Sequence, residues 1–208
     1  MKKVVFCNMM MWELTDSKRS RYKVSGNSAI AFDMEVAFPI NGVLSRTLAP
    51  SDDVKVVLLK TEDPAGNSNK NARGFMAELD RVNAGIGAKI EYKTLSTPHD
   101  ERREVQEKLL KDIVGEFVEG AHVYVDITYG PKSLPIIMFA ALNFAERFFR
   151  AEIKNIVYGK ADFDKHNKPF NHELFDMTAL FYLNSIASTI ECNDGEEAKK
   201  MLDAILEE

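Results

Sequence analysis

His122–Phe149, HVYVDITYGPKSLPIIMFAALNFAERFF, is the stretch that decides the fold. Val123, Tyr124, Val125 and Ile127 have the length and β-branched character of a buried strand, which Asp126 interrupts near its carboxyl end. A polar turn follows, Thr128-Tyr129-Gly130-Pro131-Lys132-Ser133. Ser133 suits an N-cap with Pro135 in the first turn. The run Ile136 to Phe149 is too long and too rich in alanine, leucine and phenylalanine for another strand, so it reads as a mostly buried helix. Such a strand-turn-helix gathers backbone N–H groups, a hydroxyl and a lysine at a helix N-terminus. A phosphate would sit there.

Working outward, Lys2 to Cys7 reads as a first strand, followed by the irregular segment Asn8 to Asn27, which carries Trp12, Lys18, Arg19, Arg21, Tyr22 and Lys23. A long irregular connection past a strand's carboxyl end is usually functional. The alternation Ile30, Phe32, Met34, Val36 suits a strand, and Pro39 to Leu48 a short helix. Val54 to Leu59 is a second buried strand, Asn71 to Asn83 a helix and Lys89 to Leu95 a third strand. Glu101 to Val118 is an amphipathic helix with Val105, Leu109, Ile113 and Phe117 on its buried stripe. Ile153 to Tyr158 reads as a further strand ending at Gly159. A polar connector follows from Lys160 to Asn171, then a short segment His172 to Met177 and helices Leu180 to Ile190 and Glu196 to Leu206.

Strands alternating with helices predict an α/β, Rossmann-like fold, a mainly parallel sheet with helices on both faces and further helices at the C-terminus. The expected division is 1–160 for the Rossmann-like domain and 161–208 for a helical extension able to lead into an effector domain. Ligands of such sheets gather outside the carboxyl ends of the strands, where strand order reverses. The loops at Asn8 and Thr128 are therefore expected to form one pocket.

The net charge of −5 argues against direct DNA binding, though not against a small anion in a local basic pocket. Cys7 and Cys192 fit no metal or redox spacing and are read as reduced thiols. The four histidines are scattered, so no metal or other cofactor is expected. No stretch is apolar for long enough to span a bilayer and MKKVVFC enters a strand directly, so a cytoplasmic location is expected, away from membranes. Neither a dinucleotide fingerprint after the first strand nor a Walker-type phosphate loop is present. Trp12 and Tyr22 could stack on a base or simply lie half-buried under a loop.

The segment VDITYGPKSLPIIMFAALNF, followed by a strand ending IVYG, resembles the signature of the CRISPR-associated Rossmann-fold (CARF) sensor domains. There a strand ends Asp-[Ile/Val]-Thr-[His/Tyr]-Gly, then come a basic residue, Ser and Leu-Pro. The likeness is specific over about Tyr124 to Gly159 and one of pattern elsewhere. It implies a homodimer binding a cyclic oligoadenylate across its two-fold axis in type III CRISPR antiviral defence, cyclic tetra-adenylate in preference to hexa-adenylate. Carried onto this sequence, it sets Thr128, Tyr129, Gly130, Pro131, Lys132 and Ser133 against phosphates and ribose, and Asn8, Met9 and Trp12 on the opposite side. Asp126 would orient the turn. One alternative is a metal-independent ring nuclease in which Lys132, Ser133 and Thr128 assist attack by the ribose 2′-hydroxyl. Another is an enzyme modifying a nucleotide phosphate on the same fold.

Overall fold

The computed structural model describes residues 1–14, 19–166 and 168–206. Within them the chain runs β1 (Lys2–Asn8), β2 (Lys23–Ser25), α1 (Pro39–Thr47), β3 (Asp53–Thr61), α2 (Asn67–Asn83), β4 (Lys89–Thr97), α3 (Arg103–Val114), β5 (His122–Asp126), α4 (Leu134–Phe149), β6 (Glu152–Phe163), β7 (Pro169–Asp176), α5 (Thr178–Ala187) and α6 (Gly195–Leu206). It falls into two units, Met1–Met177 and Thr178–Glu208.

The first unit holds a seven-stranded sheet in the order β2-β7-β6-β5-β1-β3-β4. Its centre, β4-β3-β1-β5-β6, is wholly parallel and is the doubly wound order expected from the alternating pattern. Burial explains why these strands were legible: β1, β3 and β5 are covered on both faces and so read as continuous apolar runs. Helices α1 and α2 pack together and share one core cluster with Val5, Val56, Tyr124 and Val157. Helices α3 and α4 pack together; α3 ends at Val114, short of the expected Val118, and Phe117 in the segment beyond it meets Phe6 of the sheet and Phe149 of α4 at 5.1 and 6.0 Å.

Two expectations are corrected. Ile30 to Val36 is not a ladder strand: it forms a 3-10 turn at Ser28–Ile30, and only Val36 bridges Ser20. The alternation survives in burial, with Ile30 and Val36 in the core and Phe32 partly buried over Gly42, because an irregular segment laid across α1 also buries every second side chain. Lys160 to Asn171 is not a connector, since β6 continues to Phe163 and returns antiparallel as β7. Its polar residues belong to half-exposed strands near an edge. Helix α2 begins four residues before Asn71 because the Asp63 carboxylate accepts the N–H groups of Asn67 and Ser68 at 2.9 and 2.8 Å.

The second unit is the helix pair α5 and α6, and Asp194 Oδ1 caps α6 by accepting the Glu196 and Glu197 N–H groups.

Candidate functional site

Strand order reverses at β1, whose neighbours are β3 and β5, and Cys7 lies in register with Asp126. The chain leaving β1 at Asn8 and the turn leaving β5 at Asp126 therefore emerge side by side, as the topology rule demands.

Asp126 is fully buried. Its Oδ1 accepts the Thr128 N–H at 2.9 Å and its Oδ2 the Ile40 N–H at 3.3 Å. Burial raises its pKa to about 6, against the pull of the hydrogen bonds from Thr128 and Ile40. The Thr128 hydroxyl accepts the Gly159 N–H at 2.8 Å, which ties the turn to the middle of β6. Tyr129 donates to the Ala37 carbonyl at 3.0 Å and meets Phe38 edge to face. The base of the turn is thus held by bonds to three separate elements.

The amino end of α1, the usual phosphate position in a Rossmann fold, is closed by the protein itself. Buried Glu78 of α2 accepts the N–H groups of Ala37 and Phe38 at 2.9 and 3.2 Å and the Asn41 side-chain amide at 3.0 Å. With Asp126 on Ile40, two carboxylates take the donors that a bound phosphate would need. The amino end of α4 is different. Ser133 is its N-cap, yet its hydroxyl makes no capping bond. Lys132 is exposed and takes part in no ion pair among the described residues.

Asn8 lies directly beneath Gly130. It is fully buried and neither polar atom of its side chain has a hydrogen-bond partner among the described residues. Such a group costs about 1–3 kcal/mol. Gly130 has φ +99°, and a β-carbon there would come within 3.2 Å of Leu134 Cδ2 and 3.5 Å of Asn8 Cβ. A bare glycine lets the turn pass this low over Asn8.

The expected residues do not share one pocket: Asn8, Met9, Gly130 and Lys132 line neither of two recesses, and the others divide between them. Trp12, Thr128 and Tyr129 line a cavity of about 660 Å³ whose far wall is the β6–β7 hairpin, with Tyr158, Lys160, Phe163 and His172. Pro131 and Ser133 face a cleft of about 20 Å³ beside His99 and Asp100. Met9 lies in the core and donates its N–H to Leu59 at 2.8 Å; its neighbour Met10 reaches the cavity. Of the basic run after β1, Arg19 lies 4.0 Å from Glu78 and Arg21 pairs with Asp33 at 2.8 Å, while Lys18 falls outside the described residues. The hairpin residues escaped sequence reading because they join the site only through β6 and β7; Tyr158-Gly159, closing the apolar run of β6, was the available signal.

Among the described residues no group of histidine, cysteine and carboxylate side chains could hold a metal ion, and no helix is long and apolar enough to cross a membrane. No protein-family profile matches the chain. The chain is similar to CRISPR-associated protein MJ1674 of Methanocaldococcus jannaschii, 33% identical over 54 residues, a stretch covering 26% of this chain and 8% of that protein.

Proposed function

We propose that this chain is a sensor that binds a cyclic oligoadenylate, cyclic tetra-adenylate first, across the axis of a homodimer, and that it serves CRISPR-associated antiviral defence. The observation that carries the reading is the turn from Thr128 to Ser133. Its base is pinned by Asp126 and Gly159, while Lys132 and the Ser133 hydroxyl stand ready at the amino end of a 16-residue helix. A preorganised hydroxyl, lysine and helix end suit a phosphodiester. The resemblance of the same segment to CARF domains and the similarity to a protein named as CRISPR-associated point the same way.

The dimer half of the proposal is supported by α4. Ile136, Phe144 and Phe148 are 74, 42 and 58% exposed and, with exposed Ala140, follow one i+4 ridge that starts just past the turn. Apolar side chains so arranged suit a matching ridge. A two-fold axis along them would set two copies of the turn near each other, as a ring of repeated symmetry requires.

Calorimetric titration with cyclic tetra- and hexa-adenylate, with sedimentation in parallel, tests this. One ring per two chains is expected, and chromatography of the products shows whether the ring stays closed. Binding of one mononucleotide per chain without association would sink the sensor reading in favour of a nucleotide-modifying enzyme.

A further inference from the structure

The cavity of about 660 Å³ beside the turn has walls of a different character from the turn itself. Trp12, Tyr158 and Phe163 line it while remaining 75, 38 and 64% exposed, three large rings turned to solvent around one recess. Tyr22 and Tyr129 add two more rings deeper in, and Tyr22 meets His172 edge to face at 5.5 Å. Exposed aromatic surface gathered in this way marks a place where something flat and apolar is bound.

Its described charges favour a phosphate less than the Lys132 turn does. Among the described residues Lys160 is the lysine on the wall, and its Nζ lies 3.4 Å from Asp162 and 3.9 Å from Glu173, so it is already compensated by two carboxylates. Asp126 adds a further acidic group beneath Thr128. A phosphate brought here would find its nearest described ammonium already paired, whereas a neutral heteroaromatic ring would find stacking partners together with hydroxyl and imidazole groups for its edge. The volume holds a purine with its ribose.

We infer that the Trp12–Phe163 cavity is a nucleobase subsite that takes one purine per chain by stacking, while the phosphate stays outside on the Lys132 turn. This rests on the proposed sensor function and extends it: base and phosphate of one nucleotide unit are read on opposite sides of Thr128 and Tyr129. The contacts to the base lie within one chain, so the subsite does not need a second copy.

Trp12 is the only tryptophan, so its fluorescence reports on this wall directly. Adenosine 5′-monophosphate and cyclic tetra-adenylate are expected to change Trp12 emission saturably, and ribose 5-phosphate is not. Phe163→Ala, at an exposed position, should weaken both adenine ligands by about 5- to 100-fold, the range of one lost stacking contact, and Phe163→Tyr should restore them. Cyclic tetra-adenylate that binds by calorimetry with Trp12 emission unmoved and Phe163→Ala without effect would overturn the subsite and leave the sensor reading standing. Saturable quenching by adenosine 5′-monophosphate without any binding of the ring would uphold the subsite and remove the sensor reading. Binding of neither ligand overturns both.

Discussion

Asp126 and Ile40, 86 residues apart in sequence, are joined by a 3.3 Å hydrogen bond from the Ile40 N–H to Asp126 Oδ2. Together with the three donors held by Glu78, it fills the amino end of α1 with the protein's own negative charge. The site that Rossmann folds usually offer to a pyrophosphate is spent on internal order. The missing glycine fingerprint after β1 thus has a structural counterpart, and the proposed function places anion recognition at the amino end of α4 instead.

Asp126 gives a pH prediction. Its folded pKa, about 6, is raised above the ordinary 3.8, so its contribution to stability is fully present below about pH 4 and is lost as pH rises through 6. Between pH 5 and 7.5 the parent protein should lose about 1.4 kcal/mol from this group. Asp126→Asn should lack that component. Urea unfolding of both proteins at the two pH values measures the difference, and parallel pH dependences would contradict the assignment.

Asn8→Leu separates stability from binding. Replacing an unpartnered buried amide by an apolar side chain of similar size should leave stability unchanged or raise it by up to about 1 kcal/mol. If the amide is kept for a ligand reaching beneath Gly130, the affinity for cyclic tetra-adenylate should fall at least about tenfold, or ~1.4 kcal/mol. Thermal melting and calorimetry read the two effects independently.

Gly159→Ala tests the seam between β6 and the turn. A β-carbon there would lie 2.9 Å from Pro39 Cγ, 3.1 Å from Tyr22 Cε1 and 3.2 Å from Thr128 Cγ2, and the proline ring at the start of α1 has little freedom to retreat. A loss of about 1–3 kcal/mol is expected by chemical denaturation. The displaced Thr128 should also lower ligand affinity at temperatures where the variant remains folded.

Lys132→Ala should do the reverse. The side chain is exposed, so stability should change by less than about 0.5 kcal/mol. Affinity for cyclic tetra-adenylate should drop by more than about tenfold, with a shallower salt dependence than the parent shows, as expected when a charged hydrogen bond to phosphate is removed. An unchanged calorimetric titration would remove the anion-binding role of the turn.

What could be read from sequence depended on whether a feature is local. The strand at Val123 to Asp126, the turn and α4 are contiguous, and two-sided burial gives β1, β3 and β5 unbroken apolar runs. Ile30 to Val36 misled because period-two burial needs no ladder. The hairpin was hidden because β7 and the outer half of β6 are half-exposed and carry polar residues on both faces. The turn was visible as a site and the cavity was not: Trp12, Thr128, Phe163 and His172 are brought together only by the return of β7 along β6.

That return also sets an order of events. Strand β2 belongs to the segment after β1, yet it pairs with β7 at the far edge of the sheet, Lys23 opposite Glu173. Ser20 to His172 and Asn27 to Asp176 repeat the link at separations of 152 and 149 residues. On a ribosome making the chain from its amino end, the strands at the centre of the sheet exist long before these partners do. Residues 19–27, which bring Tyr22 to the cavity, have only their nearer partners such as Val36 and Asp33 until β7 has been synthesised, so a chain interrupted before Pro169 would keep the central parallel strands and lack the hairpin wall of the recess. Contacts this distant in sequence form late and slowly. The closed recess is therefore among the last features the nascent chain completes.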